Sequence, residues 1–264
     1  MSLITTTFHR LRSRGRAALM PYLTMGYPDL DSALDLVPAV VEAGADLIEL
    51  GVPFSDPLAD GATIQAASQR ALDRGMTLSR CLEQVALLRA RGIAIPLVLM
   101  GYYNPILQAG LAPFARDAAA AGLDGLIIPD LPPEESGPLR SAMEAAAIDL
   151  VFLLAPTSGA ERLRLVVERT RGFLYLVSLV GVTGARDELS PGLASWIATV
   201  RSTTRLPLAV GFGISTPSQA ARVADLADGV IVGSALVQAM TEGHDPIAAA
   251  AAFVASLRAG MAGP

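Results

Sequence analysis

A single-domain α/β fold, the eight-stranded parallel (β/α)8 or TIM barrel spanning residues 1–264, is the architecture the sequence predicts, and three observations carry it. Short apolar, β-rich runs alternate along the whole chain with Ala/Leu/Arg segments of helical character. The runs are continuously apolar rather than alternating, as strands buried on both faces of a parallel sheet must be. Eight such units fit the ~250 residues common for this architecture, and no linker divides the 264 residues.

The expected strands are 19–25, 46–50, 96–100, 125–129, 150–154, 174–178, 208–210 and 229–232. The expected helical segments are 31–43, 63–91, 111–121, 133–147, 160–169, 191–201 and 217–224, followed by a C-terminal piece from 234 onward that ends in a helix over 247–258. An N-terminal helix and extra helices after strands two and eight complete the count. Ser215-Thr216-Pro217, Ser190-Pro191 and Asp245-Pro246 mark helix starts, a capping side chain followed by Pro in the first turn. Gly44, Gly92 and Gly122 follow helical segments, where a left-handed cap is expected. A doubly wound open sheet is the competing architecture. Its dinucleotide-binding form needs a GxGxxG turn after the first strand, and Thr24-Met25-Gly26-Tyr27-Pro28 is not one.

Composition removes several function classes. Hydrophobic residues make up 52% and charged ones 17%, which argues against disorder. A net charge of -5 gives no basic footprint for nucleic acid. All 20 positive residues are Arg; there is no Lys. One Cys, Cys81, allows no intrachain disulfide, and His9 and His244 alone cannot build a His-rich metal site. The uncharged stretch 92–115 is broken by Pro96, Asn104, Pro105 and Pro113, unlike the ~20 apolar residues a membrane helix needs. The basic run Arg10–Arg16 precedes an apolar stretch but no small-residue cleavage site. A cytoplasmic location is therefore the expectation.

Barrels place their active face at the C-terminal ends of the strands. Strand two carries Glu49 inside the apolar run Leu47-Ile48-Glu49-Leu50 and opens into a Pro/Gly loop bearing Asp56 and Asp60. An acid in an apolar strand is costly to keep ionised without partners. Glu49 taken alone is either a buried acid satisfied by backbone or Arg, or a catalytic group; Asp60 alone reads as a turn residue. Their co-occurrence on one predicted face favours function for both. A second cluster, Gly181-Val182-Thr183-Gly184, Gly211-Phe212-Gly213 and Gly233-Ser234, follows strands six, seven and eight. Loops there, with a helix N-terminus, suit a phosphate group.

Leu47 to Gly61, as a stretch, resembles the signature of the tryptophan synthase α subunit family. So do Gly101-Tyr102-Tyr103-Asn104-Pro105, Pro129-Asp130-Leu131-Pro132, Leu154-Ala155-Pro156-Thr157, Gly181–Gly184 and Gly211–Ser215, in order along the whole chain. The resemblance implies a (β/α)8 lyase that cleaves indole-3-glycerol phosphate to indole and glyceraldehyde 3-phosphate in tryptophan biosynthesis. Such a retro-aldol step needs an electron sink. Without Lys no imine can form, and two His with one Cys are poor metal ligands, although an all-carboxylate site stays open. The remaining route protonates indole C3, so that the substrate is its own sink.

By the resemblance Glu49 transfers the protons and Asp60 stabilises the charge developing at the indole N–H. Apolar neighbours should raise the Glu49 pKa, while the more polar loop keeps Asp60 ionised. Tyr22, Met100, Ile127 and Tyr175 would line the indole pocket with Phe212 beside it; each otherwise reads as barrel core. Thr183 would hydrogen-bond Asp60 on loop closure, and Gly184, Gly213, Gly233 and Ser234 would hold phosphate. The family also implies a β subunit partner in an α2β2 tetramer. Its contact surface would include Pro53, Asp56, Pro57, Asn104, Asp130 and Pro132, which otherwise read as rigid turns. This chain would carry no cofactor and no metal, with pyridoxal phosphate on the partner. The alternatives are a free-standing indole-releasing lyase and a silent barrel acting as a regulatory subunit.

Overall fold

In the computed structural model, which describes residues 1–178, 192–211 and 213–262, the parallel strands form a ring around an apolar interior. The strands are β1 (Ala18–Thr24), β2 (Ile48–Gly51), β3 (Leu97–Met100), β4 (Gly125–Ile127), β5 (Asp149–Val151), β6 (Leu153–Leu154), β7 (Leu174–Val177), β8 (Leu208–Gly211) and β9 (Gly229–Val232). Their order is β5-β4-β3-β2-β1-β9-β8-β7-β6. Because β5 and β6 are consecutive pieces of one run, interrupted only at Phe152, the two ends of that order meet and the barrel has eight strand positions. The expected (β/α)8 architecture is therefore observed.

The surrounding helices are α1 (Leu3–Arg12), α2 (Ala33–Glu42), α3 (Ala62–Asp73), α4 (Leu78–Ala90), α5 (Tyr103–Ala109), α6 (Leu111–Ala121), α7 (Gly137–Ala145), α8 (Ala160–Arg169), α9 (Leu193–Arg201), α10 (Pro217–Ala224), α11 (Ser234–Glu242) and α12 (Pro246–Met261). Two helices occupy the stretch 63–91, giving the extra helix expected after strand two: Gly75 takes φ +86° between them, and the Thr77 side chain caps α4 by accepting from the Arg80 N–H. Two details depart from the sequence reading. A further helix, α5, forms directly after β3. The segment 133–147 opens with a 3-10 turn, Pro133–Glu135, before α7. Gly44, Gly92 and Gly122 do take positive φ. The helix start expected at Ser190-Pro191 lies outside the described residues. No helix among the described residues is long and apolar enough to cross a membrane.

Two apolar layers result from the strand period of two. One face of each strand packs outward on the helices, with Leu19, Leu23, Ile48, Leu50, Leu97 and Leu99 in that layer. The other face fills the barrel with Met20, Tyr22, Val98, Met100, Ile127, Val151, Tyr175, Ala209 and Ile231. Helix α1 closes the N-terminal mouth, inserting Ile4, Phe8 and Leu11 into the interior layer. Gly125 makes room for it, since a Cβ there would lie 2.8 Å from Ile4 Cδ1.

The register of three strand pairs is fixed at that same mouth by one repeated device. Asp46, Asp124 and Asp228 each precede a strand and bond the neighbouring strand twice. Asp46 donates its N–H to the Leu19 carbonyl (2.9 Å) and accepts the Leu19 N–H on its carboxylate (3.0 Å). Asp124 does the same with Leu97 (3.0 and 2.8 Å), and Asp228 with Leu208 (2.8 and 2.8 Å). Each carboxylate is also held by an arginine from a helix: Arg258 of α12, Arg89 of α4 and Arg201 of α9, respectively. Arg12 adds a second pair to Asp228 at 2.8 Å. Burial raises the Asp228 pKa, but the Leu208 N–H and the two guanidiniums together bring it below the usual carboxylate value.

A strand slipped by one residue would turn its whole inward set outward, so these clamps bear on every interior side chain. Asp228→Ala leaves the Leu208 N–H and two guanidiniums without their acceptor. It should lower unfolding stability by about 2–3 kcal/mol in urea titration with an unchanged slope. A loss under about 0.5 kcal/mol, the range of ordinary surface substitutions, would show that the clamp carries no weight.

Candidate active site

The clamp at Asp46 sets the position of Glu49, three residues on. In the β1–β2 pairing Tyr22 faces Glu49, and in the β2–β3 pairing Glu49 faces Val98. One step nearer the C-terminal mouth, Gly51 pairs with Met100, Met100 with Ile127, and Ile127 with Val151. Across the barrel Tyr175 pairs with Ala209. Tyr22, Met100, Ile127 and Tyr175 all belong to the buried interior layer, and Glu49 shares its inward face and its burial.

Two glycines make space for the tyrosines. A Cβ on Gly51 would lie 1.9 Å from the Tyr22 hydroxyl, and one on Gly211 would lie 2.4 Å from the Tyr175 hydroxyl. The two rings thus lie across neighbouring strands where any side chain would collide.

Glu49 is 0% exposed, and neither of its carboxylate oxygens has a hydrogen-bond partner among the described residues. A buried carboxylate without donors favours its neutral form. Burial accordingly pushes its pKa up to about 8. The same burial, with the negative fields of Asp60 and Glu49, raises the Tyr22 phenol. Tyr175 is raised by burial and then by Glu49, Tyr22 and Asp60. These mutual influences place the four groups at one locus.

Asp60 ends the loop after β2 and is half-buried. Burial raises its pKa, opposed by a hydrogen bond from the Tyr102 hydroxyl to Oδ2 at 3.1 Å. The expectation of a simply polar loop position needs that correction, although Asp60, unlike Glu49, has a donor. The same Tyr102 oxygen accepts the Ala59 N–H at 2.9 Å, and its ring stacks on Phe54 with centroids 5.0 Å apart. Gln65 of α3 donates to the Asp60 carbonyl at 2.9 Å. Sequence reasoning missed Tyr102 as a holder of Asp60. It noted the Tyr102-Tyr103 pair, but only the structure tells which ring turns toward the loop.

Gly233 caps α11, and Ser234 is its first helical residue. A Cβ on Gly233 would sit 3.5 Å from Tyr22 Cβ and 3.6 Å from Ile64 Cδ1, so the start of α11 borders the tyrosine end of the site. At the start of a helix their N–H groups have no intrahelical acceptor, the general arrangement that suits an anion. Gly213 is exposed with φ +77°. Thr183, Gly184 and Phe212 lie outside the described residues.

The residues expected at a partner surface are dispersed in character. Asp56 and Asn104 are exposed, Pro57 and Pro132 half-buried, and Pro53 buried. Asp130 is exposed, but its carboxylate accepts the Tyr103 N–H at 2.9 and 3.2 Å and so ties the loop after β4 to the start of α5. Among the described residues no group of three or more His, Cys, Asp or Glu side chains is placed to hold a metal ion.

The buried Glu49 links stability to pH. Its pKa in the folded chain lies above the ordinary value of 4.5, so between about 4.5 and 8 the folded chain holds a proton that the unfolded chain releases. Stability must therefore fall as pH rises through that window, by at most ~1.4 kcal/mol for each pH unit crossed. Glu49→Gln should be more stable than the wild type at pH 9 and closer to it at pH 5, measured by urea unfolding at both. An equal difference at the two pH values would contradict the raised pKa.

The family described as Tryptophan synthase alpha chain matches residues 8–262. A tryptophan synthase alpha chain of Roseiflexus castenholzii is 56% identical over 98% of this chain and 100% of its own length. That of Chloroflexus aurantiacus is 54% identical over the full length of both. Among solved structures, tryptophan synthase subunit alpha of Legionella pneumophila superposes with a TM-score of 0.92 at 37% identity, covering 100% of each chain. Mycobacterium tuberculosis tryptophan synthase gives 0.91 at 43% identity over 98% of each. With the barrel, the inward carboxylate and the ordered motifs agreeing, the chain belongs to the tryptophan synthase alpha chain family.

Proposed function

We propose that Glu49 carries the proton transfers, and Asp60 the charge at the indole nitrogen, in the reaction of this family. That reaction makes the chain a lyase of tryptophan biosynthesis, cleaving indole-3-glycerol phosphate to indole and glyceraldehyde 3-phosphate. The observation that carries the assignment is the fully buried Glu49, without hydrogen-bond donors and with its pKa near neutrality. A carboxylic acid in that state can give a proton at pH 7 and take one back.

The steps balance with these two groups alone. Glu49 protonates indole C3, and the ring nitrogen takes up positive charge, which Asp60 offsets through the N–H. The Glu49 carboxylate then accepts the proton of the glycerol hydroxyl beside the ring. The O–H electrons form the aldehyde C=O, the bond from that carbon to C3 breaks, and its electron pair neutralises the ring nitrogen. Indole leaves with the original Glu49 proton on C3, and Glu49 is again protonated. Tyr22, Met100, Ile127 and Tyr175 supply the apolar walls that keep water from Glu49, with Phe212 and Thr183 completing the site. Tyr102 positions Asp60 from behind. Gly213, Gly233, Ser234 and Gly184 take the phosphate, favoured by the first N–H groups of α11. No cofactor enters on this chain, which has no Lys for an imine.

The assembly we propose is an α2β2 tetramer with the β subunit on the active face, over the loops holding Pro53–Pro57, Asn104 and Asp130–Pro132. The loop tip supports this, since Leu58 is 94% exposed beside half-buried Asp60. Pyridoxal phosphate belongs to that partner.

Glu49→Gln should abolish indole formation while a non-cleavable indole alkyl phosphate still binds. Asp60→Asn should lose most turnover, at least about a hundredfold, the size expected for one electrostatic group at a developing charge. Indole release measured with and without the β subunit checks both residues and partner together. Near-normal turnover of Glu49→Gln would remove it from the chemistry, and turnover indifferent to the β subunit would remove the partner.

A further inference from the structure

Arg12, from the basic run near the N-terminus, has no part in the chemistry and borders a cavity. The cavity, about 450 Å³, opens at the N-terminal mouth of the barrel, the end away from Glu49. Helix α1 supplies Phe8, His9 and Arg12, and the segment before β8 supplies Arg205 and Pro207, with Gly172 between them. The volume falls in the range that holds a small organic molecule. Phe8 forms part of the apolar lining and packs against Phe173 with ring centroids 5.7 Å apart.

The charged groups there are not equivalent. Arg12 is paired with Asp228 at 2.8 Å, and Arg16 reaches Asp46 at 3.9 Å, so those two serve the strand clamps. Asp149, which borders Gly172, accepts a hydrogen bond from the Ser2 hydroxyl. Arg205 is exposed and has no ion pair or hydrogen bond among the described residues. Basic side chains in the last turn of α1 complement its dipole, which accounts for His9 and Arg12. It does not account for Arg205, which lies four residues beyond the end of α9.

We propose that this cavity binds a small aromatic carboxylate, its ring on the Phe8–Pro207 wall and its carboxylate on the Arg205 guanidinium. A guanidinium fork matches a planar carboxylate in bidentate fashion. Thr5, Phe8, His9 and Arg12 line the cavity along one face of α1. The Arg205 guanidinium carries a single charge, which a monoanion with an apolar body matches better than a dianionic phosphate. The site is a second one, independent of the reaction at the other mouth.

The test is calorimetric titration of the intact chain with 2-naphthoate, the indole site first filled with a non-cleavable indole alkyl phosphate. Saturable binding is expected. Arg205→Ala should weaken it at least about tenfold, the loss of a charge-assisted hydrogen bond. Uncharged 2-naphthamide should bind the wild type at least about tenfold more weakly. Arg205→Lys should retain part of the affinity, and indole formation by both variants should be unchanged. Binding indifferent to Arg205→Ala, equal binding of the amide, or no saturable binding at millimolar probe would each overturn the proposal.

Discussion

A carboxylate at the foot of β2 decides which way the carboxylate near its top faces. Asp46 exchanges two hydrogen bonds with Leu19 and thereby holds the register in which Tyr22 lies opposite Glu49. The same double bond recurs at Asp124 and Asp228, so the β1–β2, β3–β4 and β8–β9 pairs are each pinned at one end. Parallel strands made of continuous apolar residues have little side-chain contrast between their two faces, and a slip of one residue would cost them few apolar contacts. Polar clamps supply the discrimination that such strands lack. They sit at the stability mouth of the barrel, while their consequence is felt several residues along each strand.

That register produces a mismatch of environments. Glu49 sits in the apolar interior layer, where desolvation keeps its proton on near neutrality. Asp60 sits on a loop where the Tyr102 hydroxyl donates to it and Gln65 braces its backbone. One carboxyl is kept neutral by withholding donors and the other is given one. The two chemically similar side chains thereby sit in different environments, one desolvated without donors and one held by a hydroxyl.

Much of this was legible in the sequence. The strand runs are long enough in Val, Leu and Ile to be located within one or two residues, and the glycines after helices announced their left-handed caps. An acid inside Leu47–Leu50 pointed to the site because apolar flanks and ionisation conflict. Other features were hidden for physical reasons. An Asp before a strand looks like a turn residue, so the clamps at Asp46, Asp124 and Asp228 could not be told from ordinary punctuation. An extra helix after strand two was expected, but the stretch 63–91 favours helix throughout, and one Gly alone does not mark that the break falls at Gly75. Tyr102 and Tyr103 are chemically equivalent in one dimension, and only packing against Phe54 assigns the first to Asp60. The cavity at Arg205 joins α1 to the segment before β8, groups almost two hundred residues apart in sequence.

The central claim is that the barrel interior holds Glu49 protonated at neutral pH. Difference infrared spectroscopy of the carboxyl C=O stretch, comparing wild type with Glu49→Gln across pH, reads that proton directly. A protonated carboxyl absent from the variant and titrating near pH 8 is the result the structure predicts. A Glu49 band already lost at the ordinary glutamate value of 4.5 would contradict it.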